Sequence, residues 1–196
     1  MPHHRARLEA ILLATDVFRG EEIAVALELF DEAVTPRPRA TRPLAPDSHE
    51  TPAGRDLHGD STASPPPASS DYVFLGAFTP EDELVGYACY GPTPGTDRTF
   101  DLYWIAVHPE AQGHGSGSIL MTEVERRLQG QQARMLAVET SSRSEYAPTR
   151  GFYEARGYAE AARMREFYAP ADDRIIFTKR FSSPIDGRGG GGALSR

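Results

Sequence analysis

Apolar residues recur at Ile23, Leu27, Phe30 and Val34, a spacing of i, i+4, i+7 and i+11 that lines one face of a helix. It predicts a helix over about 19–34, and the shorter apolar patch before it predicts another over 5–14. After residue 71 the pattern changes. Residues 72–78 read as a strand, 79–83 as a turn and 84–90 as the returning strand, which makes a hairpin. The Gly/Pro cluster at 91–95 breaks the chain. Residues 99–107 form a third strand, long and rich in aromatic residues. A glycine-rich loop follows, then a helix over about 115–129 with Leu120, Val124 and Leu128 in register. Residues 135–140 are a strand. A short helix over 147–156 stops at Gly157, placed as a C′ glycine. Strands near 158–166 and 174–181 close the pattern, joined by a loop over 167–173. The order ααβββαβαββ contains no repeat. It predicts a mixed α/β layer fold, not an alternating βαβ array.

Two stretches have no such period. Residues 36–70 hold half of the 16 prolines and no aromatic residue, and proline, serine and threonine fill 16 of these 35 positions. A segment of this composition buries too little to offset its ordering entropy. It is expected to be a disordered insertion within one domain. Residues 182–196, with Gly189 to Gly192 in a row, are expected to be a flexible tail. The domain then consists of the N-terminal helices in 1–35 and a core over 71–181.

The chain of 196 residues carries a net charge of -7, which argues against a nucleic-acid binder. A single cysteine, Cys89, excludes a disulfide framework and a cysteine-rich zinc site. His108 and His114 lack metal-site spacing, so no metal is expected. No apolar run approaches a membrane span, and the N-terminal patch is too short for a signal peptide. A cytoplasmic protein is expected.

The stretch from Trp104 to Ser118 is the richest in chemistry. A strand ends, a turn follows, and Gly113, Gly115 and Gly117 lead into a helix. Residues without side chains let a ligand approach the backbone, and the free N–H groups of a helix's first turn attract an anion, usually phosphate. A P-loop would require Gly-Lys-Ser/Thr, and no lysine is present here. A dinucleotide fingerprint would require a third glycine where Ser118 stands. It would also follow its strand directly, whereas here Pro109 to Gln112 intervene after an antiparallel meander.

Gln112-x-x-Gly115-x-Gly117 resembles the Q/R-x-x-G-x-G/A loop of the GNAT N-acetyltransferases. Val107-His108-Pro109 is similar to that family's strand end, and Phe152-Tyr153-Glu154-Ala155-Arg156-Gly157-Tyr158 to its F-Y-E-x-x-G-F segment. The resemblance covers roughly 71–181. It implies a central mixed, largely antiparallel sheet flanked by helices, with a splayed cofactor strand. It implies that acetyl-CoA is the acyl donor, with its pyrophosphate on the amides of Gln112, Gly113, His114, Gly115, Ser116, Gly117 and Ser118. Its pantetheine arm would pair with Ile105, Ala106 and Val107. The implied activity is acetyl transfer to an amine acceptor by direct attack in a ternary complex, and a homodimer is compatible with it. Many members carry an asparagine seven residues before the final tyrosine, where this chain has Tyr146. The family's first strand has no counterpart in the helical N-terminal pattern.

Acetyl transfer requires a positioned donor, a polarised carbonyl, a deprotonated amine and a protonated leaving thiolate. An amine of pKa about 10.4 loses its proton at pH 7 at a cost of about 4–5 kcal/mol. The resemblance makes Tyr153 the acid that protonates the thiolate; otherwise Tyr153 only packs a short helix on the sheet. Asp101, eleven residues before Gln112, falls where some members place a carboxylate base; otherwise it is a solvated strand start. Glu139 is its rival, on the strand bordering the cofactor strand. Tyr87, Tyr90, Tyr103 and Trp104 are candidates for an acceptor pocket or for core packing. Asp172 and Asp173 are expected in a solvated turn, with attraction of a cationic amine as the other reading. The competing function is a non-catalytic acyl-CoA sensor or interaction module that keeps the same loop.

Overall fold

A computed structural model describes residues 4–34 and 72–181. The expected insertion at 36–70 and the expected tail at 182–196 lie outside the described residues. Two helices, α1 (Arg5–Ala14) and α2 (Gly20–Val34), precede three strands, β1 (Val73–Phe78), β2 (Leu84–Pro92) and β3 (Thr99–Val107). Then come α3 (Ser116–Gly130), β4 (Met135–Ser141), α4 (Ala147–Ala155), β5 (Ala159–Ala169) and β6 (Asp172–Arg180). The six strands form one sheet in the order β1-β2-β3-β4-β6-β5. All neighbours are antiparallel except β3 and β4.

Each face of the sheet carries a core. Leu120, Met121, Val124 and Leu128 of α3 pack with Tyr153 of α4 on Leu102, Leu136, Val138, Ile175 and Phe177. On the other face, Leu8, Ile11 and Leu12 of α1 and Ile23, Leu27 and Phe30 of α2 cover Leu84, Tyr87 and Ala106. The apolar stripes predicted for α2 and α3 are the buried ones. Helix α2 starts where Glu22 accepts a hydrogen bond from the Arg19 N–H at 2.7 Å, satisfying a free donor of the first turn.

Two boundaries differ from expectation. Strand β2 runs on through Gly91 and Pro92, paired with Asp101 and Phe100. Proline is tolerated there because β1 begins opposite Tyr90, so among the described residues no ladder runs past it on that side. The expected loop over 167–173 shrinks to Pro170-Ala171, flanked by the Ala169–Asp172 pair. Proline followed by Ala171 at φ 62° builds a tight turn, which leaves Phe167 and Tyr168 within β5.

Candidate active site

Strands β3 and β4 pair only from Thr99–Met135 to Leu102–Val138. Beyond that point β3 stays with β2 as far as Val107, and β4 stays with β6 as far as Ser141. The sheet therefore forks. The β2–β3 register skips Tyr103, a bulge in β3 where the fork opens. Among the described residues, the inner edge of β3 beyond Tyr103 pairs with no strand.

A cavity of about 560 Å³ fills the fork, lined by Ile105, Ala106 and Val107 on one wall and by the glycine loop at one end. The loop is anchored twice: the His108 N–H donates to the Val85 carbonyl at 2.8 Å, and Gln112 Nε2 donates to the Val107 carbonyl at 2.9 Å. Gln112 thus acts as a strut for the loop through its side chain. Gly113 and Gly115 hold φ of 74° and 89°, left-handed values that strain other residues. Gly115 is the N-cap of α3, no side chain among the described residues caps this end, and no acidic residue occupies its first turn. Helical bonding resumes when Ile119 N–H reaches the Gly115 carbonyl at 2.9 Å. The amides of Ser116, Gly117 and Ser118 therefore form an uncapped helix N-terminus suited to an anion. All three residues line the cavity with Gln112, Gly113 and Gly115, whereas His114 is exposed and outside the lining.

Tyr153 reaches the same cavity from α4. Its ring lies 5.6 Å from Phe152, 5.7 Å from Tyr158 and 6.1 Å from Phe177. Burial raises the pKa of its phenol, so the hydroxyl keeps its proton at neutral pH.

A second cavity, of about 650 Å³, shares Leu102, Trp104, Val138, Glu139 and Thr140 with the first. Asp101 lies in its lining. The Thr93 hydroxyl donates to Asp101 Oδ2 at 2.7 Å. Burial raises the Asp101 pKa, outweighing the opposing Thr93 bond, with Glu139 adding to the rise. Glu139 lines both cavities, and both its oxygens are engaged, one by the Tyr168 hydroxyl and the other by Arg174. Burial, then the bond to Glu139, raises the Tyr168 pKa.

Asp172 corrects the sequence reading. It is 4% exposed, not solvated, and lines the second cavity. It accepts the Ser141 hydroxyl at 2.5 Å and sits 3.5 Å from Arg19 Nη2 and 3.7 Å from Arg143 Nε. Asp173 faces Arg163 at 3.1 Å and accepts the Glu166 N–H at 3.0 Å. Tyr103 and Trp104 line both cavities, whereas Tyr87 and Tyr90 belong to the cores.

Sequence reasoning missed the cover over these cavities. The α1–α2 connection brings Phe18 to both and Arg19 to the second. Arg143 Nη2 and the Tyr146 hydroxyl both donate to the Val17 carbonyl, at 3.3 and 3.1 Å. Tyr146 therefore pins this connection. Among the described residues no group of His, Cys, Asp and Glu is arranged to hold a metal ion, and no helix is long and apolar enough to cross a membrane.

The six-stranded sheet flanked by helices matches structures of GNAT acetyltransferases, and sequence comparison agrees. The family model described as "Acetyltransferase (GNAT) family" matches residues 39–158, and the chain belongs to this family. A crystal structure from Desulfovibrio desulfuricans, assigned to the GNAT acetyltransferases, shares 34% identity over 92% of this chain and 94% of its own, with a TM-score of 0.70. The ribosomal-protein-S18-alanine N-acetyltransferase of Escherichia coli is 22% identical over 60% of this chain and 74% of its own, TM-score 0.52. An aminoglycoside 6'-N-acetyltransferase complexed with coenzyme A is 17% identical over 58% of this chain and 76% of its own, TM-score 0.51. These last two share the fold. No curated protein matches the chain.

Proposed function

We propose that the protein is an N-acetyltransferase that moves the acetyl group of acetyl-CoA to an amine by direct attack in a ternary complex. The observation that carries this reading is the fork itself. It joins a cavity with an anion-binding loop and a protonated phenol to a second cavity holding a half-buried carboxylate. The coenzyme A held by a relative of the same fold supports it.

Acetyl-CoA supplies an activated thioester. The amides of residues 116–118 hold its pyrophosphate, and the free edge of β3 pairs with its pantetheine arm. Asp101 takes a proton from the ammonium group of the acceptor, aided by its raised pKa. The nitrogen–carbon bond then forms, the carbon–sulfur bond breaks, Tyr153 gives its proton to the departing sulfur, and the second proton of the attacking nitrogen leaves to solvent. Solvent restores both groups. Glu139 is the less suitable base because its two oxygens already hold Tyr168 and Arg174.

An assay of free thiol release from acetyl-CoA, with a panel of amines and calorimetry of acetyl-CoA binding, tests the proposal. Amine-dependent thiol release supports it. Binding without release with every amine would favour the sensor reading.

A further inference from the structure

The acceptor cavity has a charge signature. Glu21, Glu22, Asp101, Glu139 and Asp172 contribute five carboxylates to its lining. Arg19, Arg143 and Arg174 contribute three guanidinium groups, leaving two negative charges in surplus. Internal pairing sharpens this. Arg174 is matched by Glu139, and Arg143 lies against Asp172, which also reaches Arg19. Asp101 has a hydroxyl partner but no cation within ion-pair distance among the described residues, and Glu21 has no ion pair among them.

The walls are aromatic: Phe18, Tyr103, Trp104, Tyr146 and Tyr168 line the same space. Aromatic faces combined with surplus carboxylates attract cations and repel anions. At the fork, Thr140 is 6% exposed, lines both cavities, and its hydroxyl has no hydrogen-bond partner among the described residues. A buried hydroxyl left unpaired is costly, which marks the fork as a polar spot in an otherwise aromatic lining.

We infer that the acceptor is an amine carrying a second positive charge, of the aliphatic diamine or polyamine class, and not an amine bearing a carboxylate. One amino group reaches Asp101 and loses its proton there. The other stays charged against the aromatic walls and the carboxylates at the start of α2. This inference rests on the acetyl-transfer reading above.

The test uses the full chain and three acceptors of matched length: 1,4-diaminobutane, n-butylamine and 4-aminobutyrate. Thiol release from acetyl-CoA is followed for each. Calorimetry of each acceptor on the protein saturated with coenzyme A provides a readout independent of turnover. The expected result is a kcat/KM for the diamine at least about tenfold above the monoamine and higher still above the amino acid, with the same order in binding. The variant Glu21→Gln with Glu22→Gln should shrink the diamine advantage mainly through KM, while acetyl-CoA affinity stays as in the parent. If Glu22→Gln disturbs the start of α2, Glu21→Gln alone gives the same comparison. Diamine binding in the expected order without any thiol release sustains the cavity's preference for a dication and defeats the transfer reading. Equal use of diamine and monoamine, preference for the amino acid, or absence of diamine binding overturns the inference.

Discussion

Asp101 is a carboxylate whose environment disfavours its charge, because burial outweighs the Thr93 hydrogen bond and Glu139 adds repulsion. Its folded pKa lies above its unfolded one, so it stabilises the fold fully only below the unfolded value of about 3.9. That contribution is lost as pH rises through the folded pKa, and at neutral pH the ionised group is a burden. Asp101→Asn should therefore raise Tm at pH 7, and the difference should vanish on acidification below pH 4. Thermal melts across that range check the sign; a lower Tm at pH 7 would place Asp101 in a stabilising ionised role. The same variant should lose activity, with partial recovery at high pH where the amine is already neutral. Tyr153→Phe keeps the ring among Phe152, Tyr158 and Phe177 and removes only the proton. Its kcat should fall about 10²–10⁴-fold with little change in KM, and alkali should not restore it. A folded Tyr153→Phe protein with near-normal kcat would return this residue to packing alone.

At the scale of elements, the fork and the α3 N-terminus form one device. Parallel pairing between β3 and β4 stops at Leu102–Val138, and the glycine loop places α3 at the mouth of the gap. Gly117 has helical backbone, and a Cβ there would meet Val107 at 3.7 Å and Phe152 at 3.8 Å, ordinary contact distances. Gly117→Glu should fold with a nearly unchanged Tm but fail to bind acetyl-CoA, because it sets a carboxylate in the anion cradle. Gly115→Ala separates the two roles of the loop. Its Cβ would meet no atom within 4 Å, but φ of 89° costs a residue with a side chain about 1–2 kcal/mol. The expected result is a lower Tm with weakened binding. Calorimetry and melts on both variants check this, and unchanged affinity in a folded Gly117→Glu protein would remove the loop from the cofactor site.

Much of this device was legible in the sequence, because its determinants are local. The glycines, Gln112 and the following helix lie within a few residues of one another, and so do Phe152 and Tyr153. The second cavity was legible only in part: Asp101, Tyr103, Trp104 and Glu139 are candidates in the sequence, but the cover over them is not. Arg19 and Asp172 stand 153 residues apart, and Tyr146 reaches Val17 across 129. Only the tertiary fold brings the α1–α2 connection over the fork. The sequence pattern makes Asp172 a solvated turn residue because it falls in the loop expected between the last two strands. Its burial depends on Ser141 of β4, which no local pattern links to it.

At the scale of the molecule, buried charge ties the cover to the sheet. Asp172 at 4% exposure receives Ser141, and Arg143 approaches it while holding the Val17 carbonyl. Removing one partner of a buried ionic group leaves the rest uncompensated, so Asp172→Ala should destabilise the protein by about 3–5 kcal/mol. Denaturant titration checks this; a loss below about 1 kcal/mol would show that Arg19 and Arg143 find other partners. The proline-rich run is proposed to be an accessory to this framework, since it offers few apolar residues to bury. Replacing 38–68 by a short Gly/Ser linker should leave Tm and acetyl-CoA affinity nearly unchanged, because closure cost varies only slowly with loop length. The most direct test of the whole account is a single assay of the full chain with acetyl-CoA and 1,4-diaminobutane, counting free thiol against N-acetylated diamine. The account predicts that the two appear one for one and that thiol release depends on the amine. Acetyl-CoA bound at the fork with no amine-dependent thiol release from this diamine or any other amine would contradict it.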